Sequence, residues 1–565
     1  MVDIITDPLV LPDYPNVLAD PSPKRFTLAR RPLVLIGLFL LCLAPRVWIA
    51  TKCSSVCPDA TLYISIAKTI ESGQWDSSTM PQQRLVYPAI IAVLHHVGFD
   101  WETGARCWGV LLSSLAVLPL FGWIRRQFDD IVALAACFLY AVHPRLVEWA
   151  PSIIRDPTFW FLFLLSIYLL WRAVSEVRLS LFMAAGIAIT LSALMRTEGF
   201  LLVIPFAFWS LCRWWALRES RWRQAAGVVL VCFMLPAILL AFSCLVSEGD
   251  PNEKIRQLPS IMQLSKWQRS IESSLKSLHA ADTPSSTQTP STQTASPIGP
   301  YQIPPMSSGK MAWEYVRAME TGITAVFGML LLGGIYHWRV VWARRDNQPF
   351  FLVAVIIMAG IWLDFRYGQR TSTRYPITIV LMGMPFAALT LLGISQWLRE
   401  LAVRFNLSTR FQRMAIFAPV VLIAAINFSE VSAQRYRTWE SYAKLGRWAR
   451  AELGRPPAIG GHGSVAQVSS YYSGGQSACC TLVRGPAAIA EIARFNKINF
   501  LLLSKREMRP FDTKGLFEEL KRLGYEEVDP ARLPEGTDGI LVFEIKPAET
   551  KSADVEPSKQ PNKAG

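Results

Sequence analysis

The chain has 565 residues, 52% of them hydrophobic and 18% charged, with a formal net charge of +14. Apolar content this high, drawn out in long runs, excludes a disordered chain and an ordinary soluble domain, and makes a multispanning membrane protein the first reading. The positive charge calls for no nucleic acid, because the arginines sit in short connections between apolar runs, as membrane orientation requires; the expected partners are the lipid bilayer itself and anionic lipid headgroups or a lipid phosphate.

Residues 1–31 are polar, with Lys24, Arg25, Arg30 and Arg31 near their end, and read as a cytoplasmic segment ahead of a retained signal anchor. Apolar spans follow near 32–50, 104–124, 131–149, 157–174, 180–195, 199–216, 224–246, 321–337, 350–364, 376–397 and 414–428, about eleven crossings in all. Trp48, Trp123, Trp171, Trp214, Trp338 and Trp397 stand at the edges of these runs, where amphipathic rings favour the headgroup level. With the N-terminus in the cytoplasm, every even-numbered connection is basic. Arg125 and Arg126, Arg172 and Arg178, and the run from Arg213 to Arg223 then lie inside, as do Arg339, Arg344, Arg345 and Arg399 to Arg413. Residues 51–103 and 247–320 then form outer loops.

Within the first loop, 86–98 is too short for a crossing and reads as an interfacial or re-entrant helix. Cys53 and Cys57 flank the start of that loop and could be bridged if it is extracytoplasmic. Residues 280–300, rich in Ser, Thr and Pro, bury no core and are expected to be disordered, whereas 311–320 (MAWEYVRAME) has the pattern of an amphipathic surface helix. From about 431 to 546 the pattern becomes that of a small extracytoplasmic α/β domain. Helices are expected over 441–453, 487–495 and 515–523, and strands over 465–472, 498–504 and 539–545. The glycines of IGGHGSV (459–465) read as a turn, since the third glycine of a dinucleotide fingerprint is missing. The tail 547–565 is Lys/Pro-rich and expected to be disordered. The fold class that emerges is mainly α: a polytopic helix bundle over 32–430 with a C-terminal α/β domain.

Four charged groups fall on the outer side. The first is Asp59, with Tyr63 and Lys68 after it. The second is the turn HPRLVEWAPSIIRDP, with His143, Arg145, Glu148, Arg155 and Asp156. The third is MRTEG, with Arg196 and Glu198, and the fourth is DFRYGQRTSTRYP, with Asp364, Arg366, Arg370 and Arg374. Charges at span ends often only snorkel to the interface, but both signs gathered on the side that positive-inside orientation leaves poor in charge ask for more. Such a set suits group transfer from an anionic lipid carrier. A carboxylate takes a proton from an acceptor hydroxyl, and arginines hold the phosphate as it leaves. Simpler readings stand beside these roles: Asp59 as a helix N-cap, Asp156 as half of an Asp-Pro helix start, and Arg374 as a snorkelling side chain.

The ordered motifs carry a resemblance. Arg46 lies near the outer end of the first span, followed by DATLYISIAKTIESGQW, RLVYP, RDPTFWFLFLLSIYLLWRA and LSALMRTEGFLLVIPF. Over about residues 30–245, and by hydropathy and an Arg-Tyr-Pro turn over 320–430, the chain resembles the glycosyltransferase-C superfamily. It is most similar to the group of protein O-mannosyltransferases, lipid A aminoarabinose transferases and Rgt-type enzymes. The resemblance implies inverting transfer of one hexosyl or pentosyl unit from a polyprenyl-phosphate sugar to a lipid, glycan or protein acceptor at the outer face of a bacterial inner membrane. It implies Asp59 as catalytic base and Asp156 as the second acidic position, which in relatives helps bind acceptor or metal. It places Arg374 and Tyr375 near the donor phosphate, with Arg46, Tyr63, Lys68, Arg155, Arg196, Glu198 and Arg370 as further substrate-binding candidates. A divalent metal on Asp59 and Asp156 stays open, as relatives often carry Asp-Glu where this chain has Asp59-Ala60. The competing class is a transporter or flippase of lipid-linked sugars, which usually shows internal repeats and mid-span charges that this sequence lacks.

Overall fold

The computed structural model describes residues 31–73, 86–203, 308–336, 374–431, 434–461, 463–479, 496–505 and 513–545, with scattered positions in 206–234 and 355–362 and at 493. The expected disordered stretches 280–300 and 547–565, the helix at 487–495, most of the spans at 199–216, 224–246 and 350–364, and Asp364, Arg366 and Arg370 lie outside the described residues. The chain divides into two units, a membrane unit and a C-terminal unit.

The membrane unit opens with α1 (Arg31–Ala50). Helix α2 (Pro58–Glu71) follows, its first turn grouping with the C-terminal unit. Then come α3 (Val86–His96), α4 (Trp101–Leu115), α5 (Val117–Gln127) and α6 (Asp130–Val142). Helix α3 is the short helix expected at 86–98. The Asp100 carboxylate caps α4, accepting from the backbone N–H groups of Glu102 and Thr103 at 3.1 and 3.2 Å, and Asp129 caps α6 through Val132 N–H at 2.7 Å. The expected span over 131–149 is not one helix. It breaks at His143, whose backbone is extended, because Pro144 disfavours a helical residue before it; the five-residue α7 (Pro144–Glu148) then turns the chain. Helices α8 (Asp156–Glu176) and α9 (Leu179–Met195) pack along each other, and a 3₁₀ turn, Thr197–Leu202, ends this region.

Helix α10 (Ser308–Ile323) is amphipathic, as 311–320 suggested, and meets α11 (Ala325–Tyr336) at an angle of 89°. The bend sits at Thr324, whose φ of 66° is left-handed and unusual for a β-branched residue. Helix α11 lies against α12 (Ile377–Arg404) so closely that a Cβ on Gly334 would come within 2.2 Å of the Phe386 carbonyl oxygen, small residues allowing backbone approach between membrane helices. Helix α13 (Thr409–Glu430) packs on α12. Among the described residues five helices are long and apolar enough to cross a membrane, or six if the bent pair is one span.

The C-terminal unit holds α14 (Gln434–Leu453), β1 (Ala458–Gly461), α15 (Gly463–Ser473), β2 (Gln476–Cys479), β3 (Phe500–Ser504), α16 (Thr513–Arg522), β4 (Tyr525–Glu527) and β5 (Ile540–Ile545). The sheet runs β2-β1-β3-β5-β4, parallel among β2, β1 and β3 and antiparallel thereafter. The strand expected at 465–472 is instead α15. Val465, Ala466, Val468, Ser469, Ser470 and Ser473 are buried while Gln467 is exposed, a spacing that follows a helical stripe and not alternation. Gly446 on α14 permits the close approach of α15, since a Cβ there would meet the Ser469 carbonyl oxygen at 2.1 Å.

Candidate active site

Three helix ends meet in the membrane unit. Helix α8 begins at Asp156-Pro157, where proline costs no helical hydrogen bond and a carboxylate lies at the positive end of the dipole. Helix α9 ends at Arg196, a cation at the negative end, with its N–H donating to the Ser192 carbonyl at 2.9 Å. Gly199 keeps the following turn tight: a Cβ there would fall 2.5 Å from the Ala193 nitrogen. Helix α12 starts from the Arg374-Tyr375-Pro376 turn, with Ile377 N–H donating to the Arg374 carbonyl at 3.2 Å.

At this meeting point Asp156 is 2% exposed and Arg196 6% exposed. The Arg196 guanidinium donates to Asp156 Oδ1 and, at 2.5 Å, to Glu198 Oε1. Arg374 reaches the second oxygen of Asp156 at 3.7 Å and keeps a partly exposed guanidinium 5.5 Å from the Trp149 ring centre. The Arg196 guanidinium also lies 5.1 Å from the Tyr375 ring centre and 5.7 Å from that of Phe159. Burial works against the Glu198 carboxylate, but the Arg196 charge and hydrogen bond outweigh it and hold its pKa below the ordinary value. Burial likewise opposes the Arg196 cation, and the two carboxylates more than offset that, so its pKa is raised. Arg155, half-buried beside Asp156, adds a third guanidinium whose field reaches Glu198. Among the described residues three guanidinia stand against two carboxylates here, an arrangement that suits an anion.

The structure thus brings together Asp156, Arg155, Arg196, Glu198, Arg374 and Tyr375 from three separate motifs. Trp149 and Phe159, beside the guanidinia, were not singled out in the sequence; the one signal available for Trp149 was an aromatic residue within the charged turn HPRLVEWAPSIIRDP. Arg46, Tyr63 and Lys68 make other contacts. Arg46 is fully buried and donates to the carbonyls of Cys42 at 2.8 Å, Tyr140 at 3.3 Å and Ala141 at 3.5 Å, closing the C-terminal end of α6. Tyr63 packs edge-on against Tyr87, and the exposed Lys68 holds its ammonium 5.8 Å from the Trp101 ring centre. Arg145 pairs with Glu148 at 2.7 Å and donates through Nε to the Thr321 carbonyl at 2.9 Å, anchoring the end of α10. Asp59 is half-buried inside the first turn of α2, in the segment that groups with the C-terminal unit. Cys53 and Cys57 stand as thiols, without the bridge the sequence allowed.

Both oxygens of Asp156 face guanidinium groups, which repel a metal ion, and among the described residues no three His, Cys, Asp or Glu side chains converge. The residues at this cluster do not fit a divalent metal.

Residues 81–239 match the family model of dolichyl-phosphate-mannose-protein mannosyltransferases. The chain is similar in structure to ArnT from Cupriavidus metallidurans bound to undecaprenyl phosphate, with a TM-score of 0.53 and 12% identity over 90% of this chain and 97% of that one. The fold is the glycosyltransferase-C fold. The oligosaccharyltransferase of Archaeoglobus fulgidus, in complex with Zn and sulfate, matches with a TM-score of 0.53 and 13% identity over 88% of this chain and 72% of that one. The same organism's AglB, in complex with an inhibitory peptide and a dolichol-phosphate, matches at 0.51 and 11% over 94% and 75%. No curated protein matches the sequence. In this glycosyltransferase-C fold, the matched stretch 81–239 contains Asp156, Arg196 and Glu198 but not Arg374 or Asp59.

Proposed function

We propose that the chain is an inverting glycosyltransferase that moves one sugar from a polyprenyl-phosphate donor to an acceptor hydroxyl at the outer face of a bacterial inner membrane. The observation that carries this reading is the cluster of Asp156, Arg196, Glu198, Arg374 and Arg155, where among the described residues three guanidinia meet two carboxylates at three helix ends. The mannosyltransferase-family match and the structural likeness to proteins solved with undecaprenyl phosphate and dolichol-phosphate support it.

In this reading Asp59 takes the proton of the acceptor hydroxyl. That oxygen attacks the anomeric carbon from the side opposite the phosphate, and the bond from carbon to phosphate oxygen breaks. Polyprenyl phosphate leaves with the added negative charge, which Arg374 and Arg155 stabilise. Asp156 and Glu198 hold Arg196 and Arg374 in place, so the guanidinia are aligned before substrate binds. In this reading the N-terminus is cytoplasmic and the C-terminal domain extracytoplasmic.

The test uses the purified full chain in detergent with radiolabelled polyprenyl-phosphate hexoses and pentoses and a membrane extract as acceptor. Wild type is expected to transfer label, and Asp59→Asn to lose about 10²- to 10⁴-fold in rate, the range for a lost general base. Equal transfer by both would remove Asp59 from the mechanism. Translocation of the intact donor across vesicles, without transfer, would replace the reading with a flippase.

A further inference from the structure

We infer that the C-terminal domain sets the position of Asp59 through Tyr472, a positioning residue; this rests on the reading of Asp59 as the base. Residues Ser54–Leu62 group with the chain from Gln434 onward. Within that unit the backbone N–H of Val56 donates to Tyr472 Oη at 3.0 Å, across 416 residues of sequence. Ser55 and Val56 are 1% exposed and Cys57 is 4% exposed, unusual burial for a connection between two helices.

From Val56 to Asp59 little freedom remains. Pro58 fixes its own φ at the start of α2. Ala60 N–H donates to the Cys57 carbonyl at 3.0 Å, and the Thr61 hydroxyl donates to the Pro58 carbonyl at 2.8 Å. Where Val56 is held, the first turn of α2 and its carboxylate are held.

Tyr472 is itself well anchored. It stands on α15 with the Arg447 guanidinium of α14 4.7 Å from its ring centre and Tyr471 packed edge-on at 5.1 Å. Helix α15 is locked to α14 by the Gly446 approach and by the Ser469 hydroxyl, which donates to the Tyr442 carbonyl at 2.8 Å. A rigid path therefore runs from the sheet through α15 and one phenol to the segment carrying Asp59.

The experiment compares wild type with Tyr472→Phe, which removes only the hydroxyl. Tyr525→Phe is the control: it removes the hydroxyl of another tyrosine of the same domain, a more deeply buried one that donates to the Ile498 carbonyl at 2.7 Å. The first readout is independent of activity: maleimide labelling of Cys57 in the full chain in detergent, followed by peptide mass spectrometry. Loss of one neutral hydrogen bond is expected to raise the labelling rate in Tyr472→Phe by about 3- to 10-fold, with no change in Tyr525→Phe. The second readout is sugar transfer, where Tyr472→Phe is expected to lower kcat by about 3- to 10-fold at unchanged KM for the polyprenyl-phosphate donor. Unchanged Cys57 labelling, or an equal rise in both variants, would overturn the inference. So would faster labelling with unaltered kcat, because Tyr472 would then hold the segment without serving the carboxylate. If wild type transfers no sugar, the glycosyltransferase reading fails on its own, and Cys57 labelling still decides whether Tyr472 holds this segment.

Discussion

Among the described residues two arginines are buried in the membrane unit, and they are buried for different reasons. Arg46 closes the end of α6 by donating to backbone carbonyls, its guanidinium 4.9 Å from the centre of the Tyr140 ring. Arg196 is surrounded by carboxylates, with Asp156 and Glu198 on its nitrogens and Tyr375 and Phe159 against its face. The first arrangement meets one charge with the partial dipoles of backbone carbonyls and keeps it fully buried, away from any ligand in solvent. The second gathers several full charges, adds Arg374 and Arg155, and keeps part of the guanidinium surface exposed. Burial of a cation is therefore no mark of a functional site; the charge of its partners decides the role.

The comparison breaks most visibly at Arg196. Arg196→Ala leaves two carboxylates without their main counter-charge and is expected to destabilise the protein by about 3–5 kcal/mol, read as a large drop in thermal unfolding temperature in detergent, with transfer activity lost. Arg46→Ala removes the side-chain donor from three backbone carbonyls, so about 1–3 kcal/mol is expected. A loss at Arg46 equal to that at Arg196 would show that the two sites do not differ as argued.

Arg374 sharpens the contrast. It is partly exposed and 3.7 Å from Asp156, so Arg374→Gln is expected to cost less than about 1 kcal/mol of stability. Its effect on KM for the polyprenyl-phosphate donor should be about 10-fold, the size of one charge-assisted contact to phosphate. Loss of stability without a change in KM would assign Arg374 to structure.

The smallest effect is on pH dependence. Glu198 has a folded pKa below its ordinary 4.5. Its ion pair with Arg196 therefore contributes stability that is complete above the ordinary value and is lost as pH falls through the lowered folded value. The unfolding temperature of wild type should stay level from about pH 8 to pH 5 and decline below about pH 4.5. Glu198→Gln should start lower and show a shallower decline over the same range.

Much of the architecture was legible in the sequence because hydropathy and turn chemistry are local. The apolar runs at 157–174, 180–195, 376–397 and 414–428 became α8, α9, α12 and α13, and the amphipathic stretch 311–320 became part of α10. Where the reading failed, a neighbour had the last word. The span at 131–149 broke at His143 because of the proline after it, and the β-branched and aromatic residues of 465–472 formed a helix because α14 and β1 offered a helical stripe a place to bury.

The candidate site divides in the same way. Sequence alone determined that Asp156 begins a helix, that Arg196 ends one and that Arg374 heads a third, since Asp-Pro, Arg after an apolar run and Arg-Tyr-Pro are local signals for helix ends. That these ends meet, that one guanidinium is shared between two carboxylates, and that Arg46 was spent on a helix terminus were decided only by tertiary packing. Sequence spacing carries no information on which ends become neighbours, and a buried charge takes its role from what surrounds it.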